Sequence, residues 1–91
     1  MKLKFFASYR EFTGCTEAEL PTPPDVWAML QNLAERYGAA FGSKLITSDG
    51  TDVNEEAIIL VNGRNVAHLD GKNTPLCETD VVSLFPIVAG G

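Results

Sequence analysis

The sequence predicts one small α+β domain, in which a single main helix lies across a mixed sheet of four to five strands. Three observations carry that expectation. Apolar residues recur at helical spacing at Val26, Met29, Leu30, Leu33 and Tyr37, which puts one apolar stripe along one helix. A two-residue alternation opens the chain, with Leu3, Phe5 and Ala7 on one face of a strand and Lys2, Lys4 and Phe6 on the other. Two later apolar runs, Ala57–Val61 and Val81–Phe85, have strand length and turn residues at their borders. A chain of 91 residues has room for one domain with a thin core.

The elements follow in order. Residues 2–7 form the first strand. Ser8 to Gly14 reads as a loop with at most one helical turn, closed by Gly14. Thr16 to Leu20 alternates Glu17 and Glu19 with Ala18 and Leu20, which suits a short charged edge strand. Pro21-Thr22-Pro23-Pro24-Asp25 stops that strand and starts the helix: Thr22 caps, Pro23 takes the first helical position and Asp25 closes the capping box. The helix then runs from Pro23 to Tyr37 and ends at Gly38, with Trp27 beside the apolar stripe. Ala39 to Ile46 adds a short helical piece that turns Phe41 and Leu45 inward. Thr47 to Asp52 is a polar turn cluster. Ala57–Val61 reads as a buried strand, Asn62-Gly63 as a tight hairpin turn and Arg64–Ala67 as the returning strand. Val81–Phe85 is the last strand, and Pro86, which lacks the ladder donor, ends it. A hairpin, a covering helix and further strands make the β-grasp arrangement, with the first and last strands side by side and parallel. The domain is expected to span residues 1–86, with 87–91 as a flexible carboxyl-terminal tail.

Composition narrows the function. The net charge is -5 and the seven basic residues are scattered, which argues against nucleic acid, since phosphate binding needs clustered Lys and Arg. No apolar run reaches signal-peptide or membrane-spanning length, so a cytoplasmic, soluble chain is expected with no membrane partner. Cys15 and Cys77 form neither a CxxC pair nor a metal-type cluster, and one disulfide between them stays open. There is no P-loop, no Ser-His-Asp set and no metal cluster. Alone, the chain is expected to bind no cofactor and no ATP and to catalyse nothing. His68, the single histidine, has no carboxylate or cysteine partner in sequence and reads as structural.

The chemistry sits at the end. Pro86-Ile87-Val88-Ala89-Gly90-Gly91 follows directly on a strand. Glycines allow the backbone to approach closely, which suits a terminus that threads a narrow active site. A free carboxylate is a poor electrophile until it is joined to AMP, which makes a mixed anhydride with a good leaving group. Sulfide or a persulfide then displaces AMP and leaves a thiocarboxylate, whose sulfur is nucleophilic at neutral pH. If the outer strands are neighbours, Phe6, Val81 and Phe85, with Pro86, form an exposed apolar patch at the root of this tail, the surface expected of a docking carrier.

These segments resemble the MoaD/ThiS family of ubiquitin-like sulfur carriers, above all its molybdopterin synthase small-subunit branch. The resemblance rests on Asp80-Val81-Val82-Ser83-Leu84-Phe85-Pro86-Ile87-Val88-Ala89-Gly90-Gly91, on Leu60-Val61-Asn62-Gly63, on Thr74-Pro75-Leu76, and on Leu3-Lys4-Phe5-Phe6-Ala7 with Arg10, Glu11 and Gly14. It covers nearly the whole chain, and its end motif is the specific part. Ile87 stands where the family commonly has a second proline, and Ala39 to Glu56 is longer than in the shortest members. The resemblance implies that a ubiquitin-activating-type (MoeB-like) enzyme uses ATP to adenylate Gly91, and that a sulfur donor converts it to a thiocarboxylate. It also implies that Val88, Ala89 and Gly90 enter a large (MoaE-like) subunit that holds cyclic pyranopterin monophosphate, in molybdenum or tungsten cofactor biosynthesis. Sulfur delivery to thiamine, an amino acid or tRNA starts from the same adenylate, as does conjugation of Gly91 to protein lysines. A plain interaction domain with an incidental tail is the remaining alternative.

Overall fold

The computed structural model describes residues 1–87. Five strands form one mixed sheet: β1 (Lys2–Phe5), β2 (Glu17–Glu19), β3 (Ala57–Val61), β4 (Arg64–Asn65) and β5 (Val81–Pro86). Their order across the sheet is β2-β1-β5-β3-β4. β1 and β5 run parallel, with Lys2 opposite Val81 and Phe5 opposite Leu84, while the other pairs are antiparallel. A parallel pair cannot be joined by a tight turn, so everything between Phe6 and Asp80 serves as the crossover. This is the β-grasp fold.

Three helices, α1 (Tyr9–Thr13), α2 (Val26–Tyr37) and α3 (Ala39–Leu45), accompany the sheet. Val26, Met29, Leu30 and Leu33 of α2 are fully buried, as are Leu3, Phe5, Val82 and Leu84 of the two central strands. Burying a large apolar side chain contributes roughly 1.5–3 kcal/mol, so this layer supplies most of what holds so small a domain together. Phe41 of α3 meets Phe5, Tyr9, Phe12 and Tyr37 at ring-centroid distances of 6.2, 5.3, 5.5 and 6.1 Å, three of them edge-to-face. One aromatic ring therefore ties α1, α2, α3 and β1 together. α3 approaches α2 closely at Gly42, where a Cβ would stand 2.8 Å from the Ala34 Cβ.

The helix start lies later than the sequence suggests. α2 begins at Val26 and Asp25 is its cap, with the carboxylate accepting from the Ala28 N–H at 2.8 Å. Thr22 does not cap it. Each of Thr22 and Pro23 precedes a proline, and that position is pushed out of helical geometry. Pro23 is buried instead. Ser8 to Gly14 holds the single turn α1, and Gly14 ends it in the left-handed conformation. The Asn62-Gly63 turn is present, with φ of 51° and 83°, the positive pair that such a hairpin turn needs. Asn62 also clips the turn to β5: its Oδ1 accepts from the Val81 N–H at 2.9 Å and its Nδ2 donates to Asp80 at 2.8 Å.

The returning strand is shorter than the expected Arg64–Ala67. β4 ends at Asn65, whose Oδ1 accepts from the Ala67 N–H and opens a 3-10 turn over Val66–His68. A local side-chain bond here outcompetes the ladder. β5 runs one residue further than expected and takes in Pro86, which pairs with Ala57, and the next N–H, that of Ile87, donates to Glu56 O at 2.8 Å. Bonds to β3 thus fall on odd-numbered β5 residues, so the Pro86 nitrogen faces the β1 side, past the end of that strand. Proline removes no ladder bond at that position.

Two stability predictions follow from the packing. Gly42→Ala should cost about 1–3 kcal/mol by overpacking, and adding Ala34→Gly should recover part of that cost in a double-mutant cycle read by urea unfolding. Tyr9 is only 2% exposed, and burial, reinforced by the Glu56 carboxylate, pushes its hydroxyl from 10.0 up to about 12. As pH rises above 10 the unfolded chain loses this proton while the native chain keeps it. Stability therefore falls across that window, by about 1.4 kcal/mol per pH unit at the steepest. Tyr9→Phe should flatten the fall, as followed by thermal unfolding between pH 9 and 12.

Candidate functional site

All three helices and the core they bury lie toward one face of the sheet, where Leu3, Phe5, Ile59, Val61, Val82 and Leu84 point. The alternate residues turn to the other face. On β5 these are Val81, Ser83 and Phe85, on β3 Ile58 and Leu60, and on β1 Lys2 and Lys4, all half-buried. Register places Ile58 opposite Phe85 and Leu60 opposite Ser83. An apolar strip therefore runs along the open face toward the end of β5.

At the end of the strip two rings stack. Phe6 and Phe85 have centroids 4.3 Å apart and planes inclined by 13°. The parallel register causes this: Phe5 is opposite Leu84, and the Phe6 N–H donates to Leu84 O at 3.1 Å. The chain then turns sharply. Ala7 adopts φ 53°, a left-handed conformation that costs a residue with a Cβ about 1–2 kcal/mol. That turn brings α1 back over the strand end and lays the Arg10 guanidinium 5.5 Å from the Phe6 ring centre. The Arg10 Nε donates to Phe5 O at 2.9 Å.

Beyond the stack, Pro86 is half-buried, and Ile87 is 50% exposed with its N–H held by Glu56 O. Gly91, Gly90, Ala89 and Val88 lie outside the described residues. Of the four residues read from sequence as a docking patch, Phe6 and Phe85 stack at this end, while Pro86, next along β5, falls by alternation on the helix side with Val82 and Leu84. Val81 shares the face of Phe6 and Phe85 but sits four residues back along β5, roughly 13 Å away at ~3.3 Å per residue. Ile58 and Leu60 are additions to the expected patch, and Arg10, matched in sequence only as part of the first loop of the family, stands beside it. The run Ala57–Val61 reads as buried throughout because it is apolar throughout; the alternation emerges only once its register against β5 is known.

The other polar candidates form no cluster with this end. His68 is exposed in its 3-10 turn. Cys15 is half-buried and Cys77 exposed, and both are free thiols. Among the described residues no group of three or more His, Cys, Asp or Glu is placed to hold a metal ion, and no helix is long and apolar enough to cross a membrane. Asp49 accepts from the Thr47 and Thr51 hydroxyls at 2.6 and 2.8 Å. These bonds, that of Thr47 first, hold its carboxyl below the usual range. They order the 47–52 turn on the side away from the strip.

Comparison with known proteins agrees with this geometry. The ThiS family model matches residues 3–91. Small archaeal modifier protein 3 of Haloferax volcanii is 39% identical over 93 residues, covering 100% of this chain and 98% of that protein. The solution structure of small archaeal modifier protein 1 from Methanosarcina acetivorans is 30% identical with a TM-score of 0.84, over 99% of this chain and 94% of that one. A provisionally named molybdopterin converting factor subunit 1 from Pyrococcus furiosus is 31% identical with a TM-score of 0.70, over 96% and 95% of the two chains. With the β-grasp sheet, a family match over nearly its whole length and a terminal Gly-Gly, the chain belongs to the ThiS/MoaD family of ubiquitin-like sulfur carriers and modifiers.

Proposed function

We propose that this chain is the sulfur-carrying small subunit of a molybdopterin synthase. The observation that carries the reading is the sequence end, Phe85-Pro86-Ile87-Val88-Ala89-Gly90-Gly91, which issues from the central strand β5 beside a stacked aromatic pair. The likeness to the Pyrococcus protein supports the same pathway. The Gly91 carboxylate attacks the α-phosphate of ATP on a MoeB-like adenylating enzyme and releases pyrophosphate. Sulfide, or the outer sulfur of a cysteine persulfide, then displaces AMP. In the persulfide case a second thiol cleaves the acyl disulfide and is itself oxidised to a disulfide. The thiocarboxylate enters a MoaE-like large subunit and delivers its sulfur to cyclic pyranopterin monophosphate. Phe6 and Phe85, continued by Ile58 and Leu60 and at the far end by Val81, form the docking strip. The work is done in the cytoplasm, where the ATP-dependent partners reside.

A second reading has its own support. The Haloferax and Methanosarcina relatives are named as modifiers, so the same adenylate is open to attack by a lysine amine of a target protein. The two readings part at the nucleophile, after the first step.

Incubation with ATP, the cognate adenylating enzyme and a sulfur donor should raise the intact mass by the replacement of one oxygen with sulfur. Deleting Gly90-Gly91 should abolish the gain. A ladder of conjugates that survives denaturing electrophoresis, in place of that gain, would favour the modifier reading. Neither a mass gain nor conjugates, with an enzyme shown to be active and target proteins present, would remove both. Phe85→Ala should weaken binding to the large subunit by about 2 kcal/mol or more, some 30-fold, in titration calorimetry, while the variant stays folded.

A further inference from the structure

The root of the tail carries opposite charge on its two sides. On the β1 side stands Arg10, exposed, with its guanidinium over Phe6 and its Nε bonded to Phe5 O. Lys4 lies behind it on the open face, in register between Glu17 and Ser83. On the β3 side stand Glu55 and Glu56, both exposed, with the Glu56 carbonyl holding the Ile87 N–H. The apolar strip runs between the two flanks.

Arg10 differs from an ordinary surface arginine. Its Nε bond and its stacking fix the plane of the guanidinium, so little side-chain freedom remains to be lost on binding. Nε is occupied, the residue is exposed, and the two terminal nitrogens remain to donate elsewhere. Among the described residues no carboxylate lies within 4 Å of them. That arrangement suits a carboxylate received end-on by two parallel N–H donors.

We propose that Arg10 is the polar anchor of the docking strip: it receives a carboxylate of the adenylating enzyme, while Glu56 faces a basic side chain of the same enzyme. The inference rests on the carrier reading above and deepens it. An apolar strip alone admits a partner in two senses along its length. A cation on one flank and anions on the other reject the reversed sense, because like charges would then meet. The correct sense delivers the end of β5 to the adenylating site.

The test is steady-state adenylation of the full chain, followed as pyrophosphate release, with the adenylating enzyme shown to be active and with salt varied. Arg10→Gln keeps an amide that can donate to Phe5 O and lie on Phe6, but carries no charge. It should raise KM for the carrier about tenfold with kcat unchanged, and should flatten the decline of kcat/KM with salt. Arg10→Lys, which restores the charge without the fork, should recover the salt dependence and only part of KM. Glu56→Gln should flatten the same salt dependence from the other flank. Thermal unfolding of each variant reads any loss of structure separately. An unchanged KM and salt slope for Arg10→Gln overturn the proposal and leave the carrier reading standing. A raised KM with an unchanged salt slope and lowered thermal stability overturns it too, in favour of a purely structural arginine. Failure of the wild-type chain to be adenylated overturns the carrier reading, and the proposal with it.

Discussion

The parallel pairing of β1 with β5 is the constraint on which the rest of the molecule depends. It joins residues near the two ends of the chain, Lys2 with Val81 and Phe5 with Leu84, and so puts the last strand in the middle of the sheet. A central strand is fixed by ladders on both sides. β5 has β1 on one side and β3 on the other, which gives the chain beyond it a rigid mount. The same register sets Phe6 beside Phe85, since each follows directly on a paired residue. Everything distinctive at the root of the tail, including the stack, the left-handed Ala7 and the return of Arg10, is a local consequence of that pairing.

The sheet is asymmetric because the chain affords one main helix. α2 and α3 cover one face with Met29, Leu30, Leu33, Phe41 and Leu45, all fully buried. Among the described residues no helix lies on the other face. Such a face is ordinarily polar, and on β1 and β2 it is, with Lys2 and Glu17 forming an ion pair at 3.6 Å. That pair is exposed and contributes little to stability. On β3 and β5 the face carries Ile58, Leu60, Val81 and Phe85 instead. Half-buried apolar residues there add less to the fold than the same residues would in the core. Their placement is better accounted for by association than by folding.

The layout was legible in the sequence where one local rule acted alone. The two-residue alternation of Lys2–Ala7 located β1, the helical spacing of Val26 to Tyr37 located α2, and Asn62-Gly63 located the hairpin. Legibility failed where rules competed. Around Pro21-Thr22-Pro23-Pro24-Asp25 a capping box and a pre-proline restriction disagreed, and the steric restriction won, moving the cap to Asp25. After Arg64 the strand lost to the Asn65 side chain. At the candidate site the sequence revealed Phe6 and Phe85 through the expected parallel pairing. It could not reveal Ile58, Leu60 or Arg10, because their place on the strip depends on a register of β3 and a backbone turn at Ala7 that no local pattern encodes.

From Ile87, the last described residue, four residues remain to the carboxyl terminus. At no more than ~3.6 Å each, they span at most about 14 Å. Any enzyme that acts on Gly91 must therefore place its reacting atoms within that distance of the strand end while it holds the body. A partner that gripped the far side of the domain, near the 47–52 turn or the exposed face of α2, would leave the terminus out of reach of a buried site. The open face beside Phe6 and Phe85 is the described surface nearest to the strand end. In the proposed chemistry adenylation, sulfur transfer and amide formation share this requirement, since the first uses the Gly91 carboxylate oxygen and the other two attack the acyl carbon of the same residue. On the proposed reading, partners for different outcomes compete for one surface, and the fate of the adenylate follows from which partner holds the strip when a nucleophile reaches it.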